Sequence, residues 1–363
     1  MPSSVVSTWL ADVRRVGAHN GAHRVALRAG ISVAVPLLAV WALGHSEWTL
    51  YAAFGAFTAL YGRADTTRAR LRMQGSAAAV MVASLLLGVL VARLPDPEWG
   101  IVAVAALWTM IVAAVSDALR WHPPGPLFAA FALCAVASVP AANTDPVEAV
   151  LVSAASALFA LAVGAIGHVL PTRRAVAPTA GDAPGIRMIV KSSRQWLLLA
   201  RFGVAAAAAG SLSTALGIGH PYWAIVAAIV PVAATSLGHS VTRATHRVAG
   251  TILGLGLAWL ILAFEPSGLA AILVVVALQI AAELLVGRNY GLALVFVTPL
   301  ALVMVALAHP TDTTALIIDR GVETALGTAV ALLVVLAFWA PSARTSRGTA
   351  RLAGDNPPNG AQR

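Results

Sequence analysis

The sequence predicts an all-α, polytopic membrane protein of about twelve transmembrane helices in two parallel six-helix repeats. Three observations carry this. Only 11% of the 363 residues are charged and 59% are hydrophobic, with mean hydropathy +0.83, whereas a water-soluble domain carries about 25% charged residues. His45, Trp48, Arg68, Arg72 and Gly75 recur as His220, Trp223, Arg243, Arg247 and Gly250, each pair 175 residues apart. Finally, the loops between apolar runs alternate in charge, as a chain crossing a bilayer back and forth requires.

A spanning helix needs about 20 apolar residues, so this length allows about twelve spans with short loops. Residues 1–24 carry Arg14, Arg15 and Arg24 and read as a cytoplasmic N-terminal segment by the basic-residue rule. They are too polar for a cleavable signal peptide. The first repeat, 25–170, holds spans at 25–43, a short one ending near 62, 75–91, 100–118, 127–139 and 147–170. Residues 171–197 are a Pro/Gly/Ala-rich basic segment, read as a cytoplasmic linker. The second repeat, 198–340, holds spans near 199–217, 222–237, 248–264, 268–286, 290–308 and 314–339. From 341 to 363 the chain turns polar and reads as a disordered cytoplasmic tail.

With these spans every inner loop carries Arg or Lys. The outer turns carry Glu47, Asp96, Glu98, Asp145, Glu265 and Asp312, with Arg93 their one basic residue. Both termini therefore fall inside, and six spans per half make the repeats parallel. Of 24 basic residues only Lys191 is a lysine, a bias that points to a GC-rich bacterial genome and hence to a bacterial inner membrane. The net charge of +9 sits in loops and so reads as orientation; nucleic acid is not an expected partner. The expected partners are the lipid bilayer and a small solute, and the chain is open to homo-oligomerisation.

No enzyme motif is present. There is no P-loop, no H-E-x-x-H, no G-x-S-x-G and no EF-hand-like loop. Cys134 is the single cysteine, so no multi-cysteine metal site forms. No catalytic residue, cofactor or metal is expected.

Several residues have two readings. Gly75, Ala79 and Ala83, and Gly250, Gly254 and Ala258, open the third span of each half at four-residue spacing; small faces of this kind let helices pack closely in lipid. Pro231 breaks the eighth span and frees the Ala227 carbonyl, either as a kink or as part of a wet pathway. Arg28 and Arg201 take matching places near the inner ends of spans one and seven, where they either snorkel to the interface or face each other across an inner mouth. Glu283 shares a helical face with Gln279 and is a candidate proton-coupling carboxylate. Asp117 lies near the matching end of span four. Asp319, Arg320 and Glu323 share one face of span twelve, where local pairing is the plain reading.

The run Y-W-A-I-V-A-A-I-V-P followed by T-R-A-T-H-R-V-A-G-T-I-L-G resembles the fusaric-acid-resistance-like (FUSC) family of integral membrane transporters. The matching residues are Tyr222, Trp223, Pro231, Arg243, Arg247, Gly250, Thr251 and Gly254, with Asp319, Arg320, Glu323, Thr324 and Gly327 in the closing helix. The first half keeps Trp48, Arg68, Arg72 and Gly75 but has no counterpart of the Tyr, the Pro or the second glycine. The resemblance implies efflux of aromatic carboxylic acids, driven by the proton gradient. It also implies similarity to plant anion channels built from two six-helix units. The expected function is therefore secondary export of a small organic anion. A passive anion channel and a non-transporting membrane scaffold are the alternatives.

Overall fold

The computed structural model of the chain describes residues 9, 11, 13–19, 21–63, 65–166, 192–234, 236–308 and 312–354. Among them the regular structure is helical throughout. The helices are α1 (Ala22–Ala42), α2 (Thr49–Ala56, extended by a 3-10 turn Phe57–Leu60), α3 (Thr67–Val91), α4 (Pro97–Ala118), α5 (Leu127–Ala137) and α6 (Pro146–Ile166). The second half follows with α7 (Ser193–Ala215), α8 (Tyr222–Val232), α9 (Leu237–Leu262), α10 (Gly268–Val286), α11 (Tyr290–Ala308) and α12 (Thr313–Gly354).

Nine helices among the described residues are long and apolar enough to cross a membrane. The twelve helices follow the order expected, and three of them fall below that length: α2 has 8 residues and α5 and α8 have 11 each. At 1.5 Å per residue these rise about 12 Å and about 16 Å, against an apolar core of about 30 Å. The long helices present large apolar side chains outward, such as Leu158 at 67% exposure, Trp259 at 64% and Leu333 at 67%. That is the surface a lipid solvent calls for.

The short helices are the most buried. All eleven residues of α8 are buried, so it is apolar on every side, as a helix enclosed by protein must be. Pro231 sits one residue before its C-terminal end, and the Ala234 N–H closes back on the Pro231 carbonyl at 3.2 Å. The proline therefore ends this helix, where a break within a longer span was expected. Gly327 of α12 lies against the Ala224 carbonyl of α8, closer than any Cβ would permit.

Packing in the two halves is matched. Helix α1 packs on α10, and α7 packs on α4; α3 contacts α5 and α6 as α9 contacts α11 and α12. Residues 26, 29, 30, 33, 37 and 40 of α1 are buried, as are 199, 202, 203, 206, 210 and 213 of α7, each 173 further on. In α3, however, the buried face is Arg70, Gln74, Ala77 and Met81, and in α9 it is Arg247, Thr251, Gly254 and Ala258. That spacing is 177. The 175-residue match of Arg68, Arg72 and Gly75 to Arg243, Arg247 and Gly250 is thus two residues out of structural register. Two residues turn a helix by about 200°, enough to swap faces.

The expected domain limits fall partly outside the described residues, since 167–191 covers most of the linker and 355–363 the end of the tail. Between them α12 runs to Gly354, past residue 341, where the tail was expected to begin. The N-terminal segment packs back on the 287–289 loop. The Gly17 N–H donates to the Arg288 carbonyl at 2.9 Å, and Asn289 Nδ2 donates to the Val13 and Arg15 carbonyls at 3.1 Å each.

Candidate functional site

A cavity of about 130 Å³ lies between α2, α5, α8, α10 and α11. All three short helices line it, through Leu50, Ala53 and Phe54 of α2, Leu127, Phe128, Phe131 and Ala135 of α5, and Val226 of α8. These short helices leave this space between them, and α10 and α11 close its other side. Its wall is apolar and aromatic: Phe54 meets Phe57 and Phe131 edge-on at 5.4 and 5.1 Å between centroids, and Phe57 meets Phe128 at 5.8 Å.

Into this apolar wall project Arg247, Arg320, Arg63, Glu283, Gln279 and Tyr290. Arg247 is 3% exposed and Arg320 2%. Arg247 Nη1 donates to the Tyr290 hydroxyl at 3.0 Å, while its Nε and Nη2 have no partner among the described residues. The Arg320 guanidinium lies 5.0 Å from the Trp223 ring centroid, and its Nε and Nη1 are likewise unpartnered. A guanidinium buried without its hydrogen bonds is costly, and the two repel one another. On the opposite wall Arg63 Nη2 donates to Glu283 Oε1 at 2.9 Å, leaving Glu283 Oε2 without a partner.

A second cavity of about 840 Å³ shares Arg63, Leu127, Phe128, Val286 and Tyr290 with the first. It is a vestibule walled by Arg15, Arg243, Arg288, His122, His239 and His246, with Asp65 as its acid. The loops expected on the cytoplasmic side thus converge at one end. At the other end a cavity of about 550 Å³ is lined by Glu47, Asp145 and Glu148 and shares Leu50 with the chamber. There His45 Nδ1 lies 2.7 Å from Glu47 Oε1 and holds that exposed carboxyl below its ordinary range. The basic cavity, the aromatic chamber and the acidic cavity lie in sequence.

The expected site residues are distributed unevenly. Glu283 and Gln279 line the chamber, and so does Arg247, expected only as a motif residue. Pro231 does not line it. Arg28 lies within electrostatic reach of Glu283, Arg63 and Arg70, whereas Arg201 sits on α7, which packs on α4. The two arginines thus sit at equivalent but separate helix interfaces. Arg68, Arg72 and Arg243 are exposed; in α3 it is Arg70 that turns inward, donating to the Gly164 carbonyl at 2.8 Å. Gly250 abuts the Gly291 carbonyl and Gly254 lies 2.7 Å, measured from a built Cβ, from Thr298 Cβ, so the small face packs α9 on α11. A Cβ at Gly75 meets nothing within 4 Å; in α3 the close approach is Gly88 on the Leu133 carbonyl. Trp48 donates to Glu148 Oε2 at 2.8 Å.

Sequence reasoning missed Arg63, Tyr290 and the chamber role of Arg320. It also missed Glu148, although Glu148 and Glu323 stand 175 apart like the tryptophans they accompany.

Fold and chamber together define a multi-pass α-helical membrane protein. Residues 206–334, from within α7 to within α12, match the family described as fusaric acid resistance protein-like. Over 140 residues, 38% of this chain, the sequence is 33% identical to an uncharacterized membrane protein of Bacillus subtilis (strain 168), YvaC. The match covers 22% of YvaC, so the chain spans about a fifth of that curated relative. No solved structure matches the chain.

Proposed function

We propose that this protein is a secondary transporter that exports a small aromatic carboxylate from the cytoplasm through the chamber. The single observation that carries the reading is the pair Arg247 and Arg320: two buried guanidiniums with free N–H groups in an aromatic cavity. Ionisable groups kept in a membrane interior at such cost are functional. Arginine's planar fork suits a carboxylate, and Phe edges suit an aromatic ring. The basic vestibule concentrates anions at the inner end, and the acidic cavity opposes their return. No step of this cycle is covalent.

In this reading the two halves are parallel six-helix repeats in a bacterial inner membrane, with both termini cytoplasmic. The matched packing of α1 on α10 and α7 on α4 supports it. Lipid or a second copy of the chain covers the exposed Leu and Trp faces. The topology has a direct test in a Cys134→Ser background. Cysteines at Ser46 and Asn143 react with an impermeant thiol reagent from outside intact cells, and those at Thr67 and Thr242 do not. Labelling of the second pair refutes this orientation.

Arg63 and Glu283 stand where vestibule and chamber meet and act as the inner gate. A proton on Glu283 releases Arg63, which couples opening to the proton gradient. Purified protein in liposomes should move labelled benzoate faster against an imposed pH gradient than without one. Glu283→Gln should lose that dependence while still exchanging benzoate. Gradient-independent flux in the unaltered protein marks a passive channel, and absence of flux marks a scaffold.

A further inference from the structure

The extracellular-side end of α12 holds a cluster that the chamber reading leaves unused. His220 Nδ1 lies 2.8 Å from Asp319 Oδ2, and its ring stacks on Trp223 at 4.9 Å and 16°. Arg320 covers the same indole. Glu323, one turn along α12, is fully buried; Ser213 Oγ of α7 donates to its Oε1 at 3.1 Å and its Oε2 has no partner. The Trp223 Nε1 is buried and unpartnered as well.

The first half shows what these groups do when satisfied. His45, Trp48 and Glu148 have the same spacing as His220, Trp223 and Glu323. There the His45 ring stacks on Trp48 at 3.8 Å, and the indole donates to Glu148 Oε2 at 2.8 Å. The corresponding bond in the second half is unmade. The notable exchange is at one position: Asp145 in the first copy is Arg320 in the second, and Arg320 reaches into the chamber.

We infer that Glu323 is a proton-binding group that exchanges Arg320 with the transported anion. Ionised, Glu323 acts on Arg320 as a counter-charge, three residues away on one helix. When an anion takes Arg320, the buried carboxylate loses that compensation and accepts a proton from the outer aqueous phase by way of His220 and Asp319. Carboxylate and proton become a carboxylic acid, whose O–H then has a local acceptor to find; no other bond changes. The charged and titratable groups facing it are Asp319 and Arg320 on α12 and His220 and Tyr222 beside α8, with Arg247 on α9 and Tyr290 on α11 behind Arg320. This rests on Arg320 being an anion ligand, but the proton site itself is testable without any substrate.

The test is infrared difference titration of the purified full-length protein, following the carbonyl stretch of protonated carboxyl groups. As pH falls, the unaltered protein should gain a band that Glu323→Gln lacks and Glu283→Gln keeps. Arg320→Gln should show that band at a pH about one unit higher, a tenfold change in proton affinity. Benzoate should move the band in the same direction in the unaltered protein and leave Arg320→Gln unmoved. Glu323→Asp, which keeps a carboxyl, should return a displaced band and guards against a misfolded glutamine variant. A band undiminished in Glu323→Gln, or coincident titrations in the unaltered protein and Arg320→Gln, overturns the inference. Failure of benzoate flux in liposomes instead counts against the transport reading, and the substrate-free titrations still decide the proton site.

Discussion

Arg247→Gln should reduce benzoate transport at low substrate by about 10- to 100-fold, because a charge-assisted hydrogen bond contributes about 1.5–3 kcal/mol. The loss should appear in KM more than in maximal rate if Arg247 holds the anion equally throughout the cycle. Arg247→Lys should fall between, since an ammonium keeps the charge and loses the fork. Arg243, exposed at the vestibule, is the control: Arg243→Gln should change transport only a few-fold at low salt and not at all at high salt, as a screened surface charge does.

Stability separates a site from a structural role. Arg247 is buried with two nitrogen atoms unpartnered, in reach of the like charge of Arg320. Its removal relieves an uncompensated charge, so Arg247→Gln should unfold at the same temperature as the unaltered protein or a higher one. A variant that transports normally, or that loses transport only because it no longer folds, would count against the carboxylate site.

The second large effect is steric. Gly250→Val should deplete folded protein from the membrane, because its Cβ would fall on the Gly291 carbonyl and within 2.7 Å of Leu294 Cβ. Overpacking costs about 1–3 kcal/mol where side chains can yield, and here the obstacle is backbone. Gly75→Ala should do the opposite: a Cβ there meets nothing within 4 Å, and alanine improves helix propensity by up to about 1 kcal/mol. Thermal unfolding of both variants in detergent, read by fluorescence and size-exclusion profile, tests the pair. Equal melting temperatures for the two would refute the assigned α9–α11 contact.

These two glycines show how far the sequence reaches. Both begin a small-residue face at the same place in the pattern, and the sequence treats them alike. Only Gly250 meets a neighbouring backbone. Likewise Arg28 and Arg201 do occupy equivalent positions, with the burial patterns of α1 and α7 superimposing at a spacing of 173. Each belongs to its own interface, one on α10 and the other on α4. The motif arginines divide the same way: Arg247 and Arg243 are four apart, and one lines the chamber while the other is exposed.

What the sequence determined by itself is the class of protein, the order of its helices, which loops share an end, and the family that residues 206–334 resemble. Those properties follow from apolar run length and loop charge, which add up locally and need no knowledge of partners. The tertiary structure alone decided that three helices are short, that a chamber opens between them, and which arginines point into it. A side chain's direction turns by about 100° per residue, so a slip of two positions moves Arg72 outward and Arg70 inward. The partner of Glu283 lies 220 residues away at Arg63, a separation that no local pattern spans.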